Sequence, residues 1–381
     1  MMFDFLSLNP EAFGIDISDM SIKIIKLKKR RDFFNIEYFA EQKIKPGIVV
    51  DGEIKNAERL SEIIKEMVFK TGGKKIKTNY VIASLPEKKA FLQVISLPLM
   101  SRDDLKSAVV YEAENYVPLP IEEIYLDSQI IPSPEKNPVH FNVLIAAFSK
   151  KIVDPYVFCL KEAGLNVKAL ETESSAISRA LIEKEKALYT HILIDFGLVK
   201  TNFVVFSGGS LRFSSAIPVS SSGFTKIISD NLGVNLVKAE EMKVKYGLLE
   251  GMEKRKFSSQ GRNIGQGGSE KRKVFDSLVP ALVDLTQQIR KHIEYYQAHF
   301  VGKEKSSGDE RQLDILLSGG GANLKGLSEY LSMELNLPVG VGNPLANMVA
   351  KGKVKKIKIS AEELLGYTTA IGLAMRGISE E

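Results

Sequence analysis

Gly14-Ile15-Asp16-Ile17-Ser18-Asp19-Met20-Ser21-Ile22-Lys23-Ile24-Ile25 reads as a strand, a tight polar turn and a second strand. About half the chain later the layout returns as Leu193-Ile194-Asp195-Phe196-Gly197-Leu198-Val199-Lys200-Thr201-Asn202-Phe203-Val204-Val205. Asp16 aligns with Asp195, Ser18 with Gly197, and Ile22 to Ile25 with Thr201 to Val204. Each copy continues into a third strand, Phe34 to Phe39 and Leu211 to Ile217. A helix follows in each, Asn56 to Phe69 and Ser222 to Leu232. A repeat of this size points to an α/β chain of two similar lobes facing a cleft.

The chemistry of the turns follows from their composition. Consecutive backbone N–H groups between two buried strands make a concavity suited to phosphate oxygens. An aspartate there repels phosphate but orients water around Mg²⁺, a hard cation that prefers oxygen. Ser18, Ser21 and Thr201 are small enough to let a phosphate approach, and Lys23 would neutralise its charge if it faces the cleft. One such turn is an ordinary hairpin with a surface aspartate. Two copies indicate a shared phosphate site with Asp16 and Asp195 as its metal-facing carboxylates.

A third element completes a nucleotide site. Leu313 to Leu317 is a buried-strand pattern, Ser318-Gly319-Gly320-Gly321 a turn, and Asn323 to Leu335 a helix with Leu324, Leu327, Leu331 and Leu335 on one face. Glycines at 319, 320 and 321 remove the Cβ atoms that would hold a base or ribose away from the backbone. The helix start would add a positive dipole end. No GxxxxGK[ST] occurs, so the site is not a Walker A loop. Glu240 and Lys243 share one face of a helix from Leu236 to Tyr246. They would either clamp a ribose and base edge or form a plain surface ion pair.

Composition excludes other classes. The 381 residues carry a net charge of +5 and a single cysteine, Cys159, so a disulfide framework or cysteine zinc site is ruled out. His292 and His299 lack a carboxylate–histidine cluster. Apolar runs stop far short of the ~20 residues of a membrane span, and Met1 to Leu8 does not read as a signal peptide. Seven basic and two acidic residues between Gly251 and Val274 account for the whole net charge, in a stretch that reads as a disordered surface loop. Too few aromatics interleave with them for a nucleic-acid reader, and no nucleic-acid partner is expected.

Three further stretches narrow the reading: Ser84-Leu85-Pro86, Leu97-Pro98-Leu99-Met100, and Tyr111-Glu112-Ala113-Glu114-Asn115-Tyr116-Val117-Pro118-Leu119-Pro120. With these, with Leu317 to Gly321, and with Ile371-Gly372-Leu373-Ala374-Met375-Arg376 near the end, the chain resembles the actin-like ATPase superfamily. Within it the likeness is to the PilM family of type IV pilus assembly proteins and, more distantly, to the FtsA family of cell division. The resemblance runs from about Phe13 to Arg376. It implies a two-lobed actin-like (ribonuclease H-like) ATPase fold with an inserted small α+β module.

The implied division is 1–79 for the first part of lobe one, 80–170 for the inserted module and 171–190 for a helix of lobe one. Lobe two follows as 191–233, a helical nucleotide-contacting subdomain 234–311 with the basic loop 251–274, and 312–359 with the adenosine turn. Residues 360–381 form a closing helix that returns to lobe one.

The resemblance also implies ATP with Mg²⁺, held by Asp16, Ser18, Lys23, Asp195, Gly197, Thr201, Glu240, Lys243 and Gly319 to Gly321. Either Glu171 or Glu173 would stand near the attacking water. The family usually has glycine where this chain has Ser18, and a serine in left-handed geometry costs ~1 kcal/mol or more. Weak or absent hydrolysis is therefore expected.

The implied function is a cytoplasmic platform of a type IV pilus or related type II secretion complex. It would be peripheral at the inner membrane, bound to the N-terminal cytoplasmic peptide of a PilN-like bitopic protein. Tyr116 and Leu119, beside the helix-breaking prolines 118 and 120, are the expected peptide contacts. Pilus motor ATPases and further copies of the chain are additional partners the resemblance admits. The competing readings are a small-molecule kinase on the same fold and an FtsA-like filament former. No substrate motif supports the first, and no C-terminal amphipathic helix is seen for the second.

Overall fold

The computed structural model describes residues 10–30, 33–69, 76–132, 139–249, 269–300, 313–348 and 359–378. Strands β1 (Phe13–Ile17), β2 (Ser21–Arg30) and β3 (Phe33–Lys43) form an antiparallel meander. The short hairpin of β4 (Val49–Val50) and β5 (Glu53–Ile54) leads into helix α1 (Ala57–Phe69) and β6 (Tyr80–Leu85). Next come β7 (Ala90–Pro98), α2 (Arg102–Tyr116), β8 (Ile124–Ile131) and β9 (His140–Ser149). Helix α3 (Lys150–Glu162), β10 (Asn166–Thr172) and α4 (Glu173–Leu181) close the first half.

The second half opens with β11 (His191–Phe196), β12 (Thr201–Ser207) and β13 (Ser210–Ile217). Helices α5 (Ser221–Leu232), α6 (Leu236–Tyr246) and α7 (Glu270–Phe300) precede β14 (Asp314–Ser318). Then follow α8 (Leu327–Leu335), β15 (Val339–Val341), α9 (Ala361–Leu365) and α10 (Thr368–Arg376).

The two large sheets have one topology. Read outward from the meander they are β3-β2-β1-β6-β10 and β13-β12-β11-β14-β15. In each, an antiparallel meander adds two parallel strands. Buried runs such as 13–15, or Ile192 to Ile194, suit strands covered on both faces. Helix α1 buries Leu60, Ile63, Ile64, Met67 and Val68, one stripe at helical spacing. Thus the chain has the two-lobed α/β architecture expected from the repeat, and each Asp-bearing turn sits at the same corner of its sheet.

Several boundaries differ from expectation. Tyr80–Leu85 falls within the 80–170 expected for the inserted module, but β6 pairs β1 and β10. Helix α3 likewise packs its Val153, Tyr156, Cys159 and Leu160 into the first-lobe core. The separate module is therefore the three-stranded sheet β7-β9-β8 with α2, not the whole of 80–170. Parallel strands find partners far along the chain, which local pattern does not reveal.

The helix expected from Asn323 begins only at Leu327, after a 3₁₀ turn over Gly320–Asn323 and a left-handed Gly326. Its dipole end therefore stands away from the glycine turn. The closing segment is two helices. Leu365 of α9 joins the second-lobe core, whereas α10 packs on β1, β2 and α4. The chain crosses the cleft at Gly366 and Tyr367. Of the basic stretch, 251–268 lies outside the described residues, as does Met1 to Leu8. Lys271, Arg272 and Lys273 are helical rather than loop, because the stripe Val274, Phe275, Leu278, Leu282 starts beside them.

Candidate functional site

The two turns close with the same hydrogen bond. Ser18 N–H donates to Ser21 O at 2.9 Å, and Gly197 N–H donates to Lys200 O at 3.0 Å. A Cβ on Gly197 would stand 2.7 Å from that Lys200 carbonyl, so the second turn needs its glycine for packing. Ser18 is not in left-handed geometry. Among the described residues the non-glycine positions with positive φ are Asp51 and Asn336. The strain expected from serine in the first turn is thus not seen. Ser18 Oγ instead donates to Ser21 O at 2.9 Å.

Between the turns lies a cavity of about 660 Å³. Asp16, Ser18 and Lys23 line it from the first lobe, and Asp195, Gly197 and Glu240 from the second. Gly319, Gly320 and Gly321 line it too. Two of these glycines are required by packing: a Cβ on Gly319 would lie 2.6 Å from Phe196 O, and one on Gly321 2.5 Å from the Phe196 ring. Gly320 has open space before it, which leaves its backbone bare to the cavity.

Register makes the two aspartates equivalent. Asp16 faces Lys23 across β1 and β2, and Asp195 faces Asn202 across β11 and β12. Asp16 accepts from Ser84 Oγ at 2.8 Å. Burial, then repulsion from Glu173, holds the Asp16 carboxyl above its usual range, against the pull of Lys23. Burial together with Glu173 and Asp16 pushes Asp195 up to about 7. Three carboxylates are crowded into one enclosure, and that crowding favours a cation. Among the described residues no three His, Cys, Asp or Glu side chains stand close enough to cage a metal alone. The oxygen donors Asp16 and Asp195 fit Mg²⁺, whose remaining ligands would be water and phosphate.

The Glu171 and Glu173 alternatives separate clearly. Glu171 is buried outside the cavity, paired with Arg179 at 2.5 and 2.9 Å and with Arg376 at 2.8 Å. It ties β10 and α4 to α10. Glu173, the first residue of α4, lines the cavity and accepts from Asn202 Nδ2 at 2.7 Å and Lys200 Nζ at 2.8 Å. Glu171→Ala would leave two part-exposed arginines without this carboxylate, at a cost of roughly 1–3 kcal/mol. The expected result is a clear loss of chemical-denaturation stability, and an unchanged midpoint would refute this structural role.

Other expected residues stand elsewhere. Thr201 is fully buried and donates to Val219 O at 2.6 Å, away from the cavity. Lys243 is buried and outside the cavity lining. It bonds Ser221 O, Ser221 Oγ and Thr225 Oγ1 at 2.8–2.9 Å and pairs with Glu240 at 2.8 Å. Neither the exposed pair nor the clamp is what forms: Lys243 holds Glu240, which alone faces the cavity. Burial works against the Glu240 charge, but bonds from Lys243 and Thr225 prevail and lower its pKa. Lys23 donates to Gly366 O at 2.6 Å, at the crossing between lobes.

Sequence reading missed Lys200 and Asn202, although both sit inside the repeat, with Asn202 aligned to Lys23. The Asn202 Oδ1 atom is buried without a partner among the described residues. Glu87 was also missed. This buried carboxylate accepts from Ser174 N at 2.9 Å and Ser174 Oγ at 3.0 Å, and from Ser214 Oγ on β13, joining both lobes beside the module.

Tyr116 and Leu119 are 48% and 38% exposed on the module, and Tyr111 and Leu99 are 69% and 53% exposed. Ser101 caps α2, accepting from Asp104 N at 3.2 Å, and Leu105, Val109 and Ala113 bury its inner face. Among the described residues no helix is long and apolar enough to cross a membrane.

Comparison with known proteins agrees with this fold. The family model described as type IV pilus assembly protein PilM matches residues 14–257, and that of cell division protein FtsA matches 192–372. FtsA of Helicobacter pylori strain J99 is 26% identical over 52% of this chain and 40% of its own. FtsA of Neisseria meningitidis is 24% identical over 56% of this chain and 49% of its own. The chain therefore spans less than half the length of these curated relatives. Among solved structures, the PilM-PilN type IV pilus biogenesis complex matches 98% of this chain and 100% of its own, with a TM-score of 0.74 and 23% identity. MreB 5 of Spiroplasma citri bound to AMPPNP matches 96% of both chains, with a TM-score of 0.53 and 13% identity.

Proposed function

The chain belongs to the PilM family of type IV pilus assembly proteins, and from that premise we propose that it is a nucleotide-binding platform of pilus assembly. The observation that carries the nucleotide half is the cavity bounded by two hydrogen-bonded turns, each bearing one buried aspartate. Backbone N–H groups of the turns would meet the phosphates, and Asp16 and Asp195 would orient water around Mg²⁺. The bare backbone of Gly320 and the Lys243-held Glu240 would receive the adenosine. Asp16, Ser18, Lys23, Asp195, Gly197, Glu240 and Gly319 to Gly321 are the proposed contacts. Glu173 Oε2 stays bonded to Asn202, which favours weak or no hydrolysis. Calorimetric titration with Mg-ATP should give saturable binding that a chelator abolishes. No saturable heat would overturn the nucleotide reading.

For the partner half, the proposed ligand is the cytoplasmic N-terminal peptide of a PilN-like bitopic protein, which would hold the platform at the inner membrane. The support is the exposed apolar set on the module. Tyr116 ends α2, and Pro118 and Pro120 keep the next residues extended, a shape against which a peptide can lie. Replacing Tyr116 and Leu119 together by Ser should weaken a fluorescent partner tail at least about tenfold, the loss of two apolar anchors. Mg-ATP binding should persist. Equal tail affinity for wild type and double variant would place the groove elsewhere.

A further inference from the structure

Lys200 has no role in the nucleotide reading, yet it projects from the second turn into the cavity. Its ammonium lies 2.8 Å from Glu173 Oε2 and 3.1 Å from Glu173 Oε1. Glu173 opens α4, which is fixed to the first lobe through α10, whereas Lys200 belongs to the turn joining β11 to β12. The pair therefore spans the cleft.

Its two members are held unequally. The Glu173 side chain is 10% exposed and keeps its bond from Asn202 at 2.7 Å, so it stays in place without the lysine. The Lys200 side chain is 31% exposed on a flexible four-carbon stem. A polyphosphate entering between the turns offers Lys200 an acceptor of higher charge than one carboxylate. Exchange of one anion for the other adds little desolvation cost, because the ammonium has already left bulk water.

We propose that Lys200 senses the terminal phosphate of a bound nucleoside triphosphate: Glu173 holds it across the cleft when that phosphate is absent, and it transfers to the phosphate when present. The transfer releases the contact between α4 and the second turn and so reports the state of the nucleotide to the joint between lobes. This rests on the nucleotide reading above and adds the control built into the same site.

The test is titration of the full chain with Mg-ATP and Mg-ADP in wild type, Lys200→Met, Lys200→Arg and Glu173→Gln. Lys200→Met should weaken ATP about tenfold or more, the worth of a charge-assisted bond, and ADP less than about threefold. Lys200→Arg should retain most of the ATP affinity. Glu173→Gln should tighten ATP several-fold, since the anion competing for Lys200 loses its charge.

Equal losses for ATP and ADP in Lys200→Met, or weaker ATP binding in Glu173→Gln, would overturn the proposal. Should Lys200→Met fail to fold, hydrogen exchange on wild type decides. Faster exchange at the start of α4 with Mg-ATP than with Mg-ADP supports the transfer, and equal exchange overturns it. A wild type that binds neither nucleotide brings down the nucleotide reading and this inference together. One that binds both without the split between ATP and ADP removes the sensing role alone.

Discussion

Gly372→Val is expected to yield a chain that does not reach the native fold, or one that melts on the order of 10 °C lower than wild type. A Cβ built on Gly372 falls 1.9 Å from the carbonyl oxygen of Ala176, where no atom fits. The neighbour is backbone of α4, so no side chain can rotate away. Arg179 also bonds Gly372 O at 3.1 Å, pinning the crossing. On the adjoining face a Cβ on Gly14 would stand 2.4 Å from Ala370 O, so α10 lies flush on β1 as well as on α4. Separating these backbones would open the packing among Ala176, Leu373 and Ile82, at a cost of roughly 4–5 kcal/mol against a total of about 5–15. Gly320→Ala is the control, because its Cβ would meet open space. Circular dichroism melts of both proteins decide the matter. A Gly372→Val melt equal to wild type would mean the two helices are not in contact.

The repeat was legible because a strand-turn-strand unit leaves a local trace. Strand periodicity, a polar turn and an aspartate at a fixed place recur within a dozen residues, and the paired register puts Asp16 and Asp195 in equivalent positions. The two-lobed plan followed from that trace, whereas the actin-like assignment and the expected roles of Glu240 and the three glycines came from the family resemblance. What sequence did not resolve was the direction of individual side chains. Glu171 and Glu173 flank the junction of β10 with α4, and Arg179 together with Arg376, 205 residues beyond Glu171, draws the first away from the cavity. A spacing of three puts Glu240 and Lys243 on one helical face, but not whether that face is covered. Ser221 and Thr225 on α5 cover it. The outline of the inserted module was misread for a related reason: β6 and β10 are parallel strands whose partners lie far along the chain, beyond any local signal.

Asp195→Asn should abolish Mg-nucleotide binding while making the ligand-free protein harder to melt. The two effects have one cause. Asp195 is enclosed with Glu173 and Asp16, and burial first, then those two charges, disfavour its ionised form. Lys23 and Lys200 offset only part of this. At neutral pH the folded state must therefore either ionise this carboxyl or take up a proton that the unfolded chain does not bind, and asparagine of nearly equal shape removes that cost. Relief of order 1–3 kcal/mol corresponds to a rise of several degrees in melting temperature. Ligand binding reverses the sign. A divalent cation turns the same crowded carboxylates into an attraction, and in the variant one of the two aspartates that would orient its waters is gone. Mg-nucleotide affinity should fall at least about a hundredfold, the scale of a lost charged contact in an enclosed site. Wild type should then gain melting temperature on addition of Mg-ATP by mass action, and Asp195→Asn should not. Differential scanning fluorimetry of both proteins, with and without Mg-ATP, reads all four values at once. A variant that melts below wild type without ligand would contradict the charge-crowding argument. A variant that keeps its Mg-ATP shift would show that the cation does not depend on Asp195.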